Sequence, residues 1–111
     1  MIGLMFLALF QDTGTGEALA KARLDLRAGK YEAAVTSLRE LATKLPNTTE
    51  VFDMLGTAEF MVGNPADSCK AFDRQIKLRS DDGPGHWRRG ISLYYAGRYS
   101  EGQKQFEDYQ N

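Results

Sequence analysis

The sequence predicts an all-α fold, an α-solenoid of three helix-turn-helix hairpins, and three observations predict it. Gly29, Gly63 and Gly97 stand 34 residues apart, and each closes one helical pattern and precedes another. Around each glycine the same chemical types recur. Small residues stand seven before (Ala22, Gly56, Gly90) and five after (Ala34, Ser68, Gly102), and large apolar ones nine after (Leu38, Phe72, Phe106). Finally, the stretch 87–106 (WRRGISLYYAGRYSEGQKQF) reads as two short helices hinged at Gly97. A fixed period of this size is the signature of stacked helical hairpins, which bury their apolar faces only against their neighbours.

The first 14 residues stand outside the period. Residues 1–10 (MIGLMFLALF) carry no charged side chain. A membrane span needs about 20 apolar residues, twice this run, and its length suits the apolar core of an export signal. The expectation is an exported chain, periplasmic or extracellular. The alternative is a hydrophobic helix packed on the first repeat of a cytoplasmic protein. Residues 11–16 (QDTGTG) read as a polar, glycine-rich joint. They imitate a dinucleotide-binding loop, but Leu19 stands where the third glycine is required, so no nucleotide is expected there.

The three repeats follow as 15–48, 49–82 and 83–111. Each hinge glycine is expected in the left-handed conformation that caps a helix. Two residues later stand Tyr31, Pro65 and Tyr99. Pro65 breaks the aromatic column but marks a helix start, with Asn64 as cap and proline at the first helical position. Asn47-Thr48-Thr49 reads as the turn that opens the third helix. Small residues in both helices of a pair let the backbones approach, and the large residue four positions after the second small one fills the space between hairpins. A larger side chain at Gly90 or Gly102 is expected to overpack that crossing, at roughly 1–3 kcal/mol.

Composition excludes several classes of function. Basic and acidic residues nearly cancel, 14 against 15, so no global field draws the chain to nucleic acid or anionic lipid. A single cysteine, Cys69, rules out an intrachain disulfide or a thiolate metal cluster. In a helix it is expected to be a small buried hydrophobe. The single histidine, His86, has no cysteine or second histidine at ligand spacing, so neither zinc nor haem is expected. No nucleophile elbow or oxyanion motif occurs, and no catalysis and no cofactor are expected. Charge is uneven along the chain: residues 49–82 carry 4 basic and 7 acidic side chains, between two mildly basic repeats.

Gly29, Tyr31, Ala34 and Pro46 in the first repeat, Phe52, Leu55, Gly56, Gly63 and Phe72 in the second, and Gly90, Gly97, Tyr99 and Phe106 in the third resemble the tetratricopeptide repeat. The resemblance covers residues 15–111 and implies a right-handed superhelix. It departs at Lys21, where leucine is usual, at Gln75, where alanine is usual, and at Ser80, where proline is usual. The string HWRRGISLYYAGRYSEGQKQFE is similar to later repeats of exported bacterial proteins of this family.

The family binds proteins or peptides in a groove lined by the first helix of each hairpin. Carried over by column, the groove comprises Leu19, Arg23, Leu26 and Arg27, then Asp53, Thr57, Phe60 and Met61, then Trp87, Ile91, Tyr94 and Tyr95. Phe60, Trp87, Tyr94 and Tyr95 form an aromatic set of the kind that dominates binding energy. Trp87 has two readings, core or groove. The family's usual aromatic sits one residue earlier, at His86, and one residue is about 100° of helix rotation. Leu93 takes the inward place beside the tyrosines, so at least one of them is expected in the groove. Arg23, Arg27 and Arg88 are candidates to clamp a carboxylate or an acidic peptide, against a plain reading as solvated surface. The carboxylate clamp of the chaperone-tail type is disfavoured, since only Arg88 agrees with its pattern.

A solenoid needs a polar cap on its last repeat, and no capping helix follows 83–111. Phe106 and Tyr109 are therefore expected to show apolar surface, either to more repeats of a longer chain or to a second copy in a homo-oligomer. The leading expectation is a non-catalytic scaffold for a protein or peptide partner. The alternative is a module that only stacks or oligomerises.

Overall fold

The structure, a computed structural model, describes the backbone of residues 2–111 and the side chains of residues 14–111. Among the described residues six α-helices form: α1 (Ile2–Arg27), α2 (Tyr31–Lys44), α3 (Thr49–Met61), α4 (Pro65–Leu78), α5 (Trp87–Tyr95) and α6 (Tyr99–Gln110). A single 3-10 turn, Ser80–Asp82, joins α4 to α5. Each helix packs on the next in sequence, and α3 also touches both α1 and α5. The fold is all-α, six helices in sequential hairpin packing.

The three hinges are built alike. Gly29, Gly63 and Gly97 have φ of 76°, 88° and 80°, where a Cβ would be strained. The residue after each glycine donates its N–H five residues back: Lys30 to Asp25 O, Asn64 to Glu59 O and Arg98 to Leu93 O, each at 2.8 Å. The glycine N–H bonds three residues back, to Leu26, Phe60 and Tyr94 respectively. These are Schellman closures, which satisfy the last carbonyls of one helix. The same Lys30, Asn64 and Arg98 then serve as N-caps of α2, α4 and α6, through backbone alone. The expected side-chain cap at Asn64 is not made; its amide donates instead to Glu59 Oε1 at 3.3 Å.

The expected joint at residues 11–16 is not a joint, because α1 runs through it. Gly14 and Gly16 hold no positive φ. Each costs a helix about 1 kcal/mol relative to alanine, too little to break a helix whose next turns are held by packing of Ala18, Leu19, Ala22 and Leu26. The export-signal reading falls on residues 1–10, whose side chains lie outside the described residues. No helix among the described residues is long and apolar enough to cross a membrane.

The notch columns work as steric pairs. Phe72 is fully buried and its ring lies over Gly56; Phe106 lies over Gly90. Both large residues therefore seat within their own hairpin, a refinement of the expectation that they fill the space between hairpins. Phe72 also reaches forward to the His86 ring, 4.3 Å between centroids, and so joins the second hairpin to the third. Gly102 makes room for the Tyr94 ring and lies near the Gly90 carbonyl. Cys69 is fully buried, and burial raises its thiol pKa, as expected of a small inert hydrophobe.

Candidate protein-binding face

The histidine decides how the start of α5 is turned. His86 is its N-cap, with Nδ1 accepting from the Arg89 N–H at 3.1 Å. Nε2 therefore carries the ring proton and donates to Gln75 Oε1 at 2.7 Å. Gln75 in turn donates to Asp82 at 3.1 Å. Gln75, which stands where the tetratricopeptide pattern has alanine, thus supplies the acceptor for a polar ring buried where that pattern has an aromatic. His86 is buried and its pKa falls to about 4, chiefly through burial, with the Arg88 and Arg89 charges adding to it. With His86 turned inward, Trp87 is turned outward and is 49% exposed. Of the two readings of Trp87, the core one is excluded.

Trp87, Ile91 and Arg88 on α5 and Thr57, Phe60 and Met61 on α3 enclose an apolar hollow of about 180 Å³. Phe72, which the repeat pattern assigned to a buried column, and Ser92 complete its lining. Tyr95, 73% exposed, meets Phe60 edge to face at 5.3 Å along the same ridge. Tyr94 stands apart from this group. Its ring stacks on Phe106 at 5.8 Å and lies 5.8 Å from Tyr99, over the α5–α6 crossing. Leu93 is fully buried, as the pattern required. Leu19 and Leu26 on α1 pack against the core rather than standing free.

The candidate arginines differ from expectation more than the aromatics do. Arg23 forms a two-pronged pair with Glu50 of α3, at 2.5 and 2.7 Å. That pairing raises the Arg23 pKa and lowers that of Glu50. Arg88 reaches Asp53 at 2.6 Å and Thr57 Oγ1 at 3.3 Å. Both arginines thus tie neighbouring hairpins together. Only Arg27 is exposed with no ion pair among the described residues. A signal for these pairs was present. Glu50 follows Arg23 by 27 residues and Arg88 follows Asp53 by 35, near enough to one 34-residue period to face each other from adjacent hairpins. Arg39 of α2 holds the buried carboxylate of Glu59 in α3, with both oxygens near 2.8–2.9 Å.

A second, polar hollow of about 370 Å³ adjoins the apolar one and shares Trp87 and Arg88 with it. Asp53, Asp81 and Asp82 line it, with Gln75 and His86. The Asp53 pKa is raised, first by burial, with Asp82 and Glu50 adding to it against the opposing charge of Arg88. Among the described residues no group of three or more His, Cys, Asp and Glu side chains could hold a metal ion.

At the far end of the stack Phe106 is half-buried against Gly90 and Tyr94. The exposed aromatic surface there comes from Tyr99 and Tyr109, at 63% and 56%, with Tyr94 beside Tyr99.

These features define a class, the helical-hairpin repeat with an aromatic face between successive first helices. A solved structure of a mutant of MamA, a tetratricopeptide-repeat protein, has this fold. It matches with a TM-score of 0.81 and 24% identity over 87% of this chain and 71% of that one. At that identity the likeness shows the fold. No protein-family model matches the chain, and no curated protein matches it in sequence.

Proposed function

We propose that the chain is a non-catalytic scaffold that binds a protein or peptide partner on the face made by α3 and α5, with residues 15–48, 49–82 and 83–111 as its three repeats. The observation that carries this is the apolar hollow walled by Phe60, Met61, Trp87 and Ile91. It is open to solvent and flanked by the exposed ring of Tyr95. Aromatic anchors bury large area at little cost in rotamer freedom, which is why such side chains dominate binding energy. The tetratricopeptide-like fold supports the same reading. The test is selection of displayed random peptides on the folded chain, repeated on Trp87→Ala and Ile91→Asp. The expected result is enriched sequences that lose binding to both variants while helical circular dichroism is unchanged. Peptides that bind both variants as well as the parent would sink the proposal.

A second reading, self-association through the last hairpin, is favoured by the exposed rings of Tyr99 and Tyr109 on α6. Light scattering across a range of concentrations tests it. A dimer that Tyr109→Glu abolishes supports it, and a mass that stays monomeric throughout removes it.

A further inference from the structure

The two adjoining hollows differ in chemistry, and the pair of them describes a ligand more narrowly than either alone. We infer that the partner segment sets a large apolar side chain into the hollow between α3 and α5, with a lysine or arginine next to it over the acidic hollow on the other side of Trp87. This deepens the scaffold reading above and rests on it.

The apolar half follows from size and lining. An apolar cavity of about 150 Å³ holds a benzene-sized group, and this one is about 180 Å³ with Phe60, Met61, Trp87 and Ile91 in its wall. A leucine or phenylalanine side chain is of that class. The cationic half follows from the charges that remain once the internal pairs are formed. Arg88, the cation nearest the apolar hollow, already faces Asp53. Arg23 is held by Glu50. An acidic partner would have to share either one with a carboxylate already in place. On the other side Asp82 is met by Arg79 at 3.4 Å, whereas Asp81 is exposed with no ion pair among the described residues. The raised pKa of Asp53, despite Arg88 beside it, reflects burial and the same excess of negative charge. The half-exposed indole of Trp87 stands between the two hollows and offers a π face to a cation. This reverses the expectation that the arginines of this face select an acidic peptide.

Trp87 is the only tryptophan, so its fluorescence reports on this site alone. The probes are acetylated, amidated hexapeptides in a glycine–serine background. One carries leucine followed by lysine, one leucine followed by glutamate, and one glycine followed by lysine. The leucine–lysine peptide is expected to shift Trp87 emission and to bind about five- to tenfold more tightly than the leucine–glutamate peptide. That is the scale of one or two exposed charge interactions gained and a like-charge contact avoided. The gap narrows as added salt shortens the screening length. Asp81→Lys, at an exposed position with no structural partner, is expected to erase the preference without loss of helix. Equal binding of the two leucine peptides, tighter binding of the glutamate peptide, or a preference untouched by Asp81→Lys would overturn the inference and leave the groove reading standing. A glycine–lysine peptide that binds as well as leucine–lysine, or no response to either leucine peptide, would overturn both.

Discussion

Replacing Gly56 by alanine puts two physical effects in direct opposition. Helix propensity alone favours the change by about 1 kcal/mol. Steric fit opposes it. A Cβ built on Gly56 lies 2.5 and 2.7 Å from Cδ1 and Cζ of Phe72, and nearer still to Cε1, where carbon pairs are at ease only at about 3.5–4.0 Å. The ring is hemmed in on every side but the one that borders the α3–α5 hollow. Phe72 is fully buried, with the His86 ring packed against it and the Arg88 guanidinium 5.9 Å from its centroid. Overpacking of a full core costs about 1–3 kcal/mol, and three violated ring atoms place this site at the upper end. The net expectation is a loss of about 2 kcal/mol, a fall in melting midpoint on the order of 10 °C for a domain of this size. Thermal and urea unfolding followed by far-ultraviolet circular dichroism measure it. Gly16→Ala is the control: it is helical with no neighbour within 4 Å, so the propensity gain stands alone and the midpoint rises. In a Phe72→Leu background the Gly56→Ala penalty shrinks, as a double-mutant cycle requires when two groups collide. A Gly56→Ala chain as stable as the parent, or a penalty of the same size in the Phe72→Leu background, would refute the notch as a steric device.

Three further outcomes follow from the same packing. Gly63→Ala, at a φ of 88°, should cost about 1–2 kcal/mol from left-handed strain alone, seen as a lower urea midpoint; an unchanged midpoint would argue against the Schellman closure there. Gln75→Ala restores the residue the tetratricopeptide family prefers, yet it strips the buried Nε2–H of His86 of its acceptor and should cost about 1–3 kcal/mol. Combining it with His86→Phe should recover much of that, and a harmless Gln75→Ala would show that the His86 bond contributes nothing. The pKa of His86 is lowered from 6.5 to about 4 on folding, so the unfolded chain binds the extra proton first. The stability from the neutral ring is complete above about pH 6.5 and drains as pH falls toward 4, by at most about 1.4 kcal/mol per pH unit. Urea midpoints across that window, compared with His86→Gln, should show a slope in the parent that the variant lacks.

The hinges and notches were legible because both depend on residue type at fixed spacing. A left-handed φ calls for glycine, and a ring over a backbone calls for the absence of Cβ; Gly29, Gly63 and Gly97, and Gly56 beneath Phe72, carry those demands in the chain itself. The break at residues 11–16 was misread because two glycines weaken a helix only modestly and say nothing about whether neighbouring turns are already held. The cap at Asn64 was misread because the Schellman closure had already fixed that backbone, leaving its amide to Glu59. On the face made by α3 and α5, Phe60, Met61, Trp87 and Ile91 come together, whereas Tyr94 turns to Phe106 over the small Gly102.

Periodicity alone established three helical pairs, their boundaries near each glycine, and which positions must be small. These are properties of a backbone that repeats every 34 residues, and they need no knowledge of what lies across a gap. Packing decided direction and charge. His86 turned inward because Gln75, eleven residues earlier on another helix, met its ring nitrogen, and this one bond exposed Trp87. Arg23 and Arg88 became ties between hairpins because Glu50 and Asp53 faced them across the stack. Whether a charge is free to meet a partner depends on where the opposite charge sits in space, and only the folded chain brings those charges together.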